Sequence, residues 1–306
     1  MSSNATVASH CRTALVQQLG LSDHAQSIAY TTRGIVNAAK QGAQLIILQE
    51  LHASLYFCQS ENPDNFDLAE TIPGRTTDAL AKVAREQNVV IVTSIFEKRG
   101  AGIHHNTACV IESDGTIAGI YRKMHIPHDP GFNEKYYFTP GDLGFTPIHT
   151  SVGCLGVLVC WDQWFPEAAR AMALAGADIL IYPTAIGWLK EDGDVPCPLQ
   201  RDAWITIQRS HAIANSLPVI ACNRVGYEPH PTDPARGINF WGASFISDVN
   251  GHILAQASGR VADPTEPEVI VTDIDLSATE VRRRLWPYGR DRRIDAYTPL
   301  LTHGDP

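Results

Sequence analysis

Apolar positions along this chain follow two rhythms, short runs of aliphatic and β-branched residues alternating with longer amphipathic stretches. Residues 12–17 predict a strand, and residues 23–41 a helix with Ile28, Ile35, Val36 and Ala39 on its apolar side. A second strand runs over 45–48 and leads to Glu50. After the Pro73-Gly74 turn a helix over 77–87 closes at Asn88, and VVIVTSIFE supplies the next strand. TACVIES and TIAGIYRK flank Asp114-Gly115 and form a hairpin. The alternation then repeats: a strand running to Cys160, a helix over 166–175, a strand over 178–183, a helix over 199–215 and a strand over 218–223. ASFISD and HILAQA flank an Asn250-Gly251 turn, and EVIVTDID precedes a terminal helix rich in arginine. This is the order of a layered α/β protein.

Composition narrows the picture only a little. A length of 306 residues without a Pro/Gly/Ser linker or charge block fits a single domain. With 24 basic and 33 acidic residues the net charge is −9, which disfavours nucleic acid and anionic membrane and favours a cationic ligand. No apolar run is long enough to span a bilayer and the polar start lacks a signal-peptide core, so a cytoplasmic protein is expected. Seven cysteines at scattered spacings fit reduced thiols better than a disulfide framework. The tail VRRRLWPYGRDRRIDAY interleaves arginines with Trp286, Tyr288, Ile294 and Tyr297, a pattern better suited to packing on another subunit or element than to nucleic acid.

Three strand ends carry candidate chemistry. In LGVLVCWDQWFPEAAR an apolar run ends on Cys160 where open α/β sheets place their ligands. A following helix would lower the thiol's pKa, and the N–H groups of Trp161 and Asp162 are candidate oxyanion donors. The alternative is an inert core thiol. Glu50 and Lys123 stand at equivalent strand ends, either as desolvated groups of shifted pKa or as solvated charges. Tyr56, Trp161, Trp164 and Trp188 are candidate pocket walls for a cation, or core. Other patterns carry less. His125, His128 and Asp129 have ligand-like spacing but no second cluster to complete a metal site, so no metal is expected. His104 and His105 would face opposite sides of a strand, and Ser210 and His211 are neighbours on a helix that do not face each other.

Together the segments LQEL, YRKMHIP, GFNEKYYFTPGD and VCWDQWFPEAAR resemble, in order and spacing, the motifs of the nitrilase superfamily of carbon–nitrogen hydrolases. The resemblance runs over about residues 12–300 and implies a four-layer α-β-β-α sandwich. It also implies an enzyme without cofactor, with Cys160 as nucleophile, Glu50 as proton acceptor, Lys123 as oxyanion stabiliser and Glu134 in support. Within the superfamily, LQELHASLYFCQ, IPHDPGFNEKYYFTPGDLGF and QRSHAIAN look like the N-carbamoylputrescine amidase subgroup, which implies a small carbamoyl amine as substrate and a homodimer or larger assembly. Relatives acting on N-carbamoyl amino acids, β-ureidopropionate or ω-amides share the catalytic set. The loop WLKEDGDVPCP carries Glu191, Asp192 and Asp194 against Lys190, an acidic balance that suits an aminoalkyl cation, so Asp192 and Asp194 join Tyr56, Trp161 and Trp188 as candidate substrate contacts. A catalytically silent polyamine-binding protein of the same fold is the non-enzyme alternative.

Overall fold

The computed structural model describes residues 9–190, 197–233, 235–261 and 263–303. In the first half, β1 (His10–Gln17), α1 (His24–Lys40), β2 (Leu45–Leu48), α2 (Arg75–Gln87), β3 (Val90–Gly100), β4 (Ile103–Ile111), β5 (Ile117–Arg122) and α3 (Glu134–Tyr137) follow in order. The second half holds β6 (Ile148–Thr150), β7 (Gly153–Val157), α4 (Pro166–Leu174), β8 (Ile179–Thr184), β9 (Gly187–Leu189), α5 (Cys197–Asn215) and β10 (Val219–Asn223). It is completed by β11 (Val225–Pro229), β12 (Gly237–Trp241), β13 (Phe245–Ser247), β14 (Ile253–Gln256), β15 (Glu268–Asp275) and α6 (Ser277–Leu285).

Two six-stranded mixed sheets result, in the orders β15-β1-β2-β3-β4-β5 and β14-β13-β10-β8-β7-β6. Strands β1, β2 and β3 run parallel, as do β7, β8 and β10, and antiparallel strands complete both sheets. The period of two in the sequence decides the layering. Leu15, Leu45, Ile47, Val90, Val92 and Val110 join one core with Leu155, Val157, Ile179 and Ile181 of the other sheet. Their neighbours Ala14, Val16, Ile46, Leu48 and Ile91 turn the other way and pack on Ile35, Ala38, Leu80 and Ala84 of α1 and α2. Helices α4 and α5 cover the outer face of the second sheet, through Ala168, Met172, Trp204 and Ala212. The expected four-layer α-β-β-α sandwich is the architecture observed.

Local signals act where expected. Asp23 caps α1 by accepting from the Gln26 N–H at 2.8 Å, and Asn88 ends α2 in the left-handed region at φ 55°. Gly115 turns the β4–β5 hairpin at φ 83°. Two expectations are corrected. The buried stripe of α1 is Ser27, Tyr30, Thr31, Gly34, Ile35 and Ala38, so the helix is rotated from the face of Ile28, Val36 and Ala39, which are half-buried. Close approach to β1 selects small residues there: a Cβ on Gly34 would strike Val16 Cγ1. The strand before Cys160 also stops early, at Val157.

A third sheet, β11-β12-β9, escaped the periodicity reading because its strands are short and β9 has only three residues. It lies beside the carboxyl end of β8. Gly187 starts it, and a Cβ there would meet the Asn239 carbonyl and come within 2.6 Å of Phe240 Cα. Gly187→Ala is therefore expected to lower stability by about 1–3 kcal/mol, read as a drop in denaturation midpoint with an unchanged slope.

Candidate active site

Strand direction brings the candidate residues together. Because β4 is antiparallel to both β3 and β5, β5 runs the same way as β2, so Glu50 and Lys123 leave the sheet at the same end. Asn106 on β4 ties them: its backbone carbonyl accepts from the Lys123 N–H at 2.9 Å, and its side chain donates to Glu50 Oε1 at 2.6 Å. Cys160 arrives from the second sheet, three residues past β7. The Glu50 N–H donates across to the Thr184 carbonyl at the end of β8, at 3.4 Å.

Lys123 is the hub. Its Nζ donates to Glu50 Oε1 at 2.8 Å and to Glu134 Oε2 at 2.6 Å, and all three side chains are fully buried. Burial by itself would depress the lysine pKa, but the carboxylates of Glu134 and Glu50 outweigh it and hold the ammonium well above its usual range. Burial raises Glu134 to about 7, with Lys123 opposing the rise and Glu50 adding to it. The second Glu50 oxygen, Oε2, is buried with no hydrogen-bond partner among the described residues. No donor among the described residues competes for its lone pairs.

The thiol of Cys160 is 4 % exposed, and its Sγ lies 3.8 Å from the Ala185 carbonyl oxygen. Burial drives its pKa well above the usual thiol range; Glu50 pushes the same way and Lys123 does not reverse it. The expectation that a following helix would lower this pKa is thus corrected. Cys160 opens a single 3₁₀ turn, Cys160–Trp164, at φ 43°, and α4 begins only at Pro166. Desolvation wins over so distant a helix end. The Asp162 N–H is also removed from the expected oxyanion donors, since it donates to the Val159 carbonyl at 3.1 Å. Trp161 N–H and Lys123 Nζ are the donors that stay in consideration.

Asp162 instead fastens the turn that carries Cys160. Its buried carboxylate accepts from the Val159 N–H and Tyr121 Oη, both at 2.9 Å, and from the His125 N–H at 3.1 Å and Nδ1 at 2.7 Å. His125, part of the ligand-like spacing, has its ring stacked on Phe165 at 3.7 Å. A cavity of about 530 Å³ opens onto Cys160, walled by Trp161, Trp164, Trp241, Leu189 and Phe132, with Asp129 and Glu134 as its charged lining residues. Among the described residues no lysine or arginine lines it.

The candidate substrate contacts divide. Trp161 lines the cavity. Tyr56 does not: it is 1 % exposed, packed on Phe132 and Phe240, and its hydroxyl donates to Glu134 Oε1 at 2.8 Å. Trp188 stands one layer back, its ring 5.3 Å from Trp241. Asp192 and Asp194 lie outside the described residues. Asn106 and the carboxylate roles of Asp162 and Asp129 were not read from the sequence; Asn106 stands among the polar residues His104, His105 and Thr107 at the start of β4, where nothing sets it apart.

The model of the carbon–nitrogen hydrolase family matches residues 12–284. This chain belongs to that family. It is 43 % identical to N-carbamoylputrescine amidase of Arabidopsis thaliana over 283 residues, covering 92 % of this chain and 91 % of the relative. Citrullinase of Francisella tularensis is 40 % identical over 288 residues, covering 94 % of this chain and 96 % of the relative. Among solved structures, a carbon–nitrogen hydrolase from Helicobacter pylori G27 superposes with a TM-score of 0.92 at 50 % identity, covering 97 % of this chain and all of that one.

Because the Asp162 carboxylate holds the Cys160 turn, Asp162→Asn sets an amide donor against N–H and O–H donors. It is expected to lower stability by about 1–3 kcal/mol and to slow alkylation of Cys160 by iodoacetamide, followed by peptide mass.

Proposed function

We propose that this enzyme hydrolyses the terminal carbamoyl group of a cationic carbamoyl amine, N-carbamoylputrescine foremost, to the free amine, carbon dioxide and ammonia. The observation that carries the reading is a buried Glu50–Lys123–Glu134 cluster beside the buried Cys160 thiol, next to a cavity whose charged lining is acidic among the described residues. The identity to N-carbamoylputrescine amidases supports the substrate.

The chemistry follows from the proton inventory. The Cys160 thiol passes its proton to Glu50 Oε2 as Sγ bonds to the carbamoyl carbon. Lys123 Nζ and the Trp161 N–H receive the developing oxyanion. Collapse breaks the C–NH₂ bond, and the proton on Glu50 leaves with ammonia, giving a carbamoyl thioester on Cys160. Water then gives a proton to Glu50 and its hydroxyl to the same carbon, returning the thiol and a carbamic acid that decays to amine and carbon dioxide. Glu134, oriented by Tyr56, keeps Lys123 protonated throughout. Asp129 on the cavity lining attracts the distal ammonium, while a carboxylate there meets no basic lining residue among the described residues.

The enzyme acts in the cytoplasm as a dimer or larger assembly. Supporting the assembly, the C-terminal segment exposes Val281, Leu285, Trp286, Ile294, Leu300 and Leu301, more apolar surface than isolated monomers usually leave in one short stretch. Sedimentation analysis of a monomer would remove this part of the reading.

Ammonia release is measured with N-carbamoylputrescine, N-carbamoyl-β-alanine, L-citrulline and simple ω-amides. The cationic carbamoyl amine is expected to have the highest kcat/KM, Cys160→Ala to have no turnover, and Lys123→Met to lose about 10²–10³-fold in kcat. Asp129→Asn is expected to raise KM for the cationic substrate by about two- to fivefold and to leave neutral amides unchanged. Equal rates on cationic and anionic carbamoyl compounds would overturn the specificity, and preference for citrulline would move the assignment to the citrullinase-like branch.

A further inference from the structure

Behind the cluster lies a second buried ion pair that the reaction does not use. Arg224 follows β10 and is fully buried, with its guanidinium 5.5 Å from the Phe240 ring centre. Its Nη1 donates to Glu228 Oε1 at 2.6 Å and to the Ser54 carbonyl at 3.0 Å. Its Nη2 donates to the carbonyls of Glu50 at 3.1 Å and Leu51 at 2.8 Å. Glu228 in turn accepts the Tyr56 N–H on Oε2 at 2.7 Å. One ion pair thus grips the whole segment from Glu50 to Tyr56.

The grip answers a specific need. Leu51 sits at φ 50°, an unfavourable conformation for a leucine, and this bend leaves the Glu50 and Leu51 carbonyls bonded to Arg224 instead of to a sheet. A guanidinium satisfies several such acceptors at once, which an ammonium on a flexible stem does not. Both ends of the gripped segment touch the chemistry: Glu50 binds Lys123 directly, and Tyr56 orients Glu134.

We infer that Arg224 and Glu228 are positioning residues, a buried clamp that sets the backbone of Glu50 and Tyr56 and thereby aims both carboxylates at Lys123. The inference goes beyond the substrate proposed above, resting on it only for the choice of assay. Gly20 gives an independent handle, since a Cβ there would overlap Glu228 Oε1 and Arg224 Nη1. That substitution would disturb the clamp from behind without touching the cluster.

The test compares Arg224→Lys, Glu228→Gln and Gly20→Ala with Leu80→Ala, a core substitution on the buried face of α2 that costs stability elsewhere. Per folded molecule, the three clamp variants are expected to lose on the order of 10- to 100-fold in kcat for the carbamoyl amine. KM should stay within about twofold, the pattern of a lost transition-state geometry. Alkylation of Cys160 by iodoacetamide should slow in parallel at neutral pH and recover only at more alkaline pH, whereas Leu80→Ala should change neither readout. Should Arg224→Lys fail to fold, the isosteric Glu228→Gln and the remote Gly20→Ala decide. Folded variants with wild-type kcat and a wild-type alkylation profile would overturn the clamp. The alkylation arm needs no substrate, so a chain that turns over no carbamoyl amine refutes the proposed function and leaves this test standing.

Discussion

One ammonium shared by two carboxylates, all three withdrawn from water, is the constraint around which this molecule is built. Removing the ammonium would leave two carboxylates buried in a low dielectric without a counter-charge, which costs far more than the pairing gains by existing. The cluster therefore has to be satisfied from every side. Asn106 donates to Glu50, Tyr56 donates to Glu134, and Arg224 with Glu228 fastens the chain segment that carries both Glu50 and Tyr56. The same burial pushes the pKa of the neighbouring Cys160 thiol well above its usual range, and leaves Glu50 Oε2 without a hydrogen-bond partner among the described residues.

The two sheets make such a cluster possible without a long rigid scaffold. The first sheet delivers Glu50 and Lys123 from strands that run the same way, with Asn106 on the intervening β4, and the second delivers Cys160 past the end of β7. The Thr184 carbonyl stitches the two together, accepting from the N–H groups of both Glu50 and Arg224. The small β11-β12-β9 sheet then supplies Leu189 and Trp241 as cavity walls and Glu228 as the clamp's acid. Scaffold and site share the same hydrogen bonds.

Much of this was legible in the sequence because the governing forces are local or periodic. Alternation placed the long strands, Asn88 and Gly115 marked their turns, and strand-end position together with motif order singled out Glu50, Lys123, Glu134 and Cys160. What stayed hidden depends on packing that no window of residues contains. No motif or periodicity marks Arg224 and Glu228, and only the folded chain shows that three backbone carbonyls and an N–H are bonded to them. The stripe of α1 was misplaced because Ser27, Thr31 and Gly34 are not apolar; they are buried for being small. The direction of the Cys160 shift was misjudged for a related reason, since a helix end is visible in sequence whereas the enclosure of a side chain is not.

The charge arithmetic of the cluster also bears on selectivity. Two carboxylates share one ammonium in the cluster, Asp129 and Glu134 line the cavity, and among the described residues no lysine or arginine lines it. A neutral carbamoyl head enters this field without penalty. A trailing ammonium gains from it, and a trailing carboxylate is opposed along the whole path. Discrimination of that kind needs no dedicated amine pocket of high affinity: the buried cluster carries more acid than base, and apolar walls screen such an imbalance poorly.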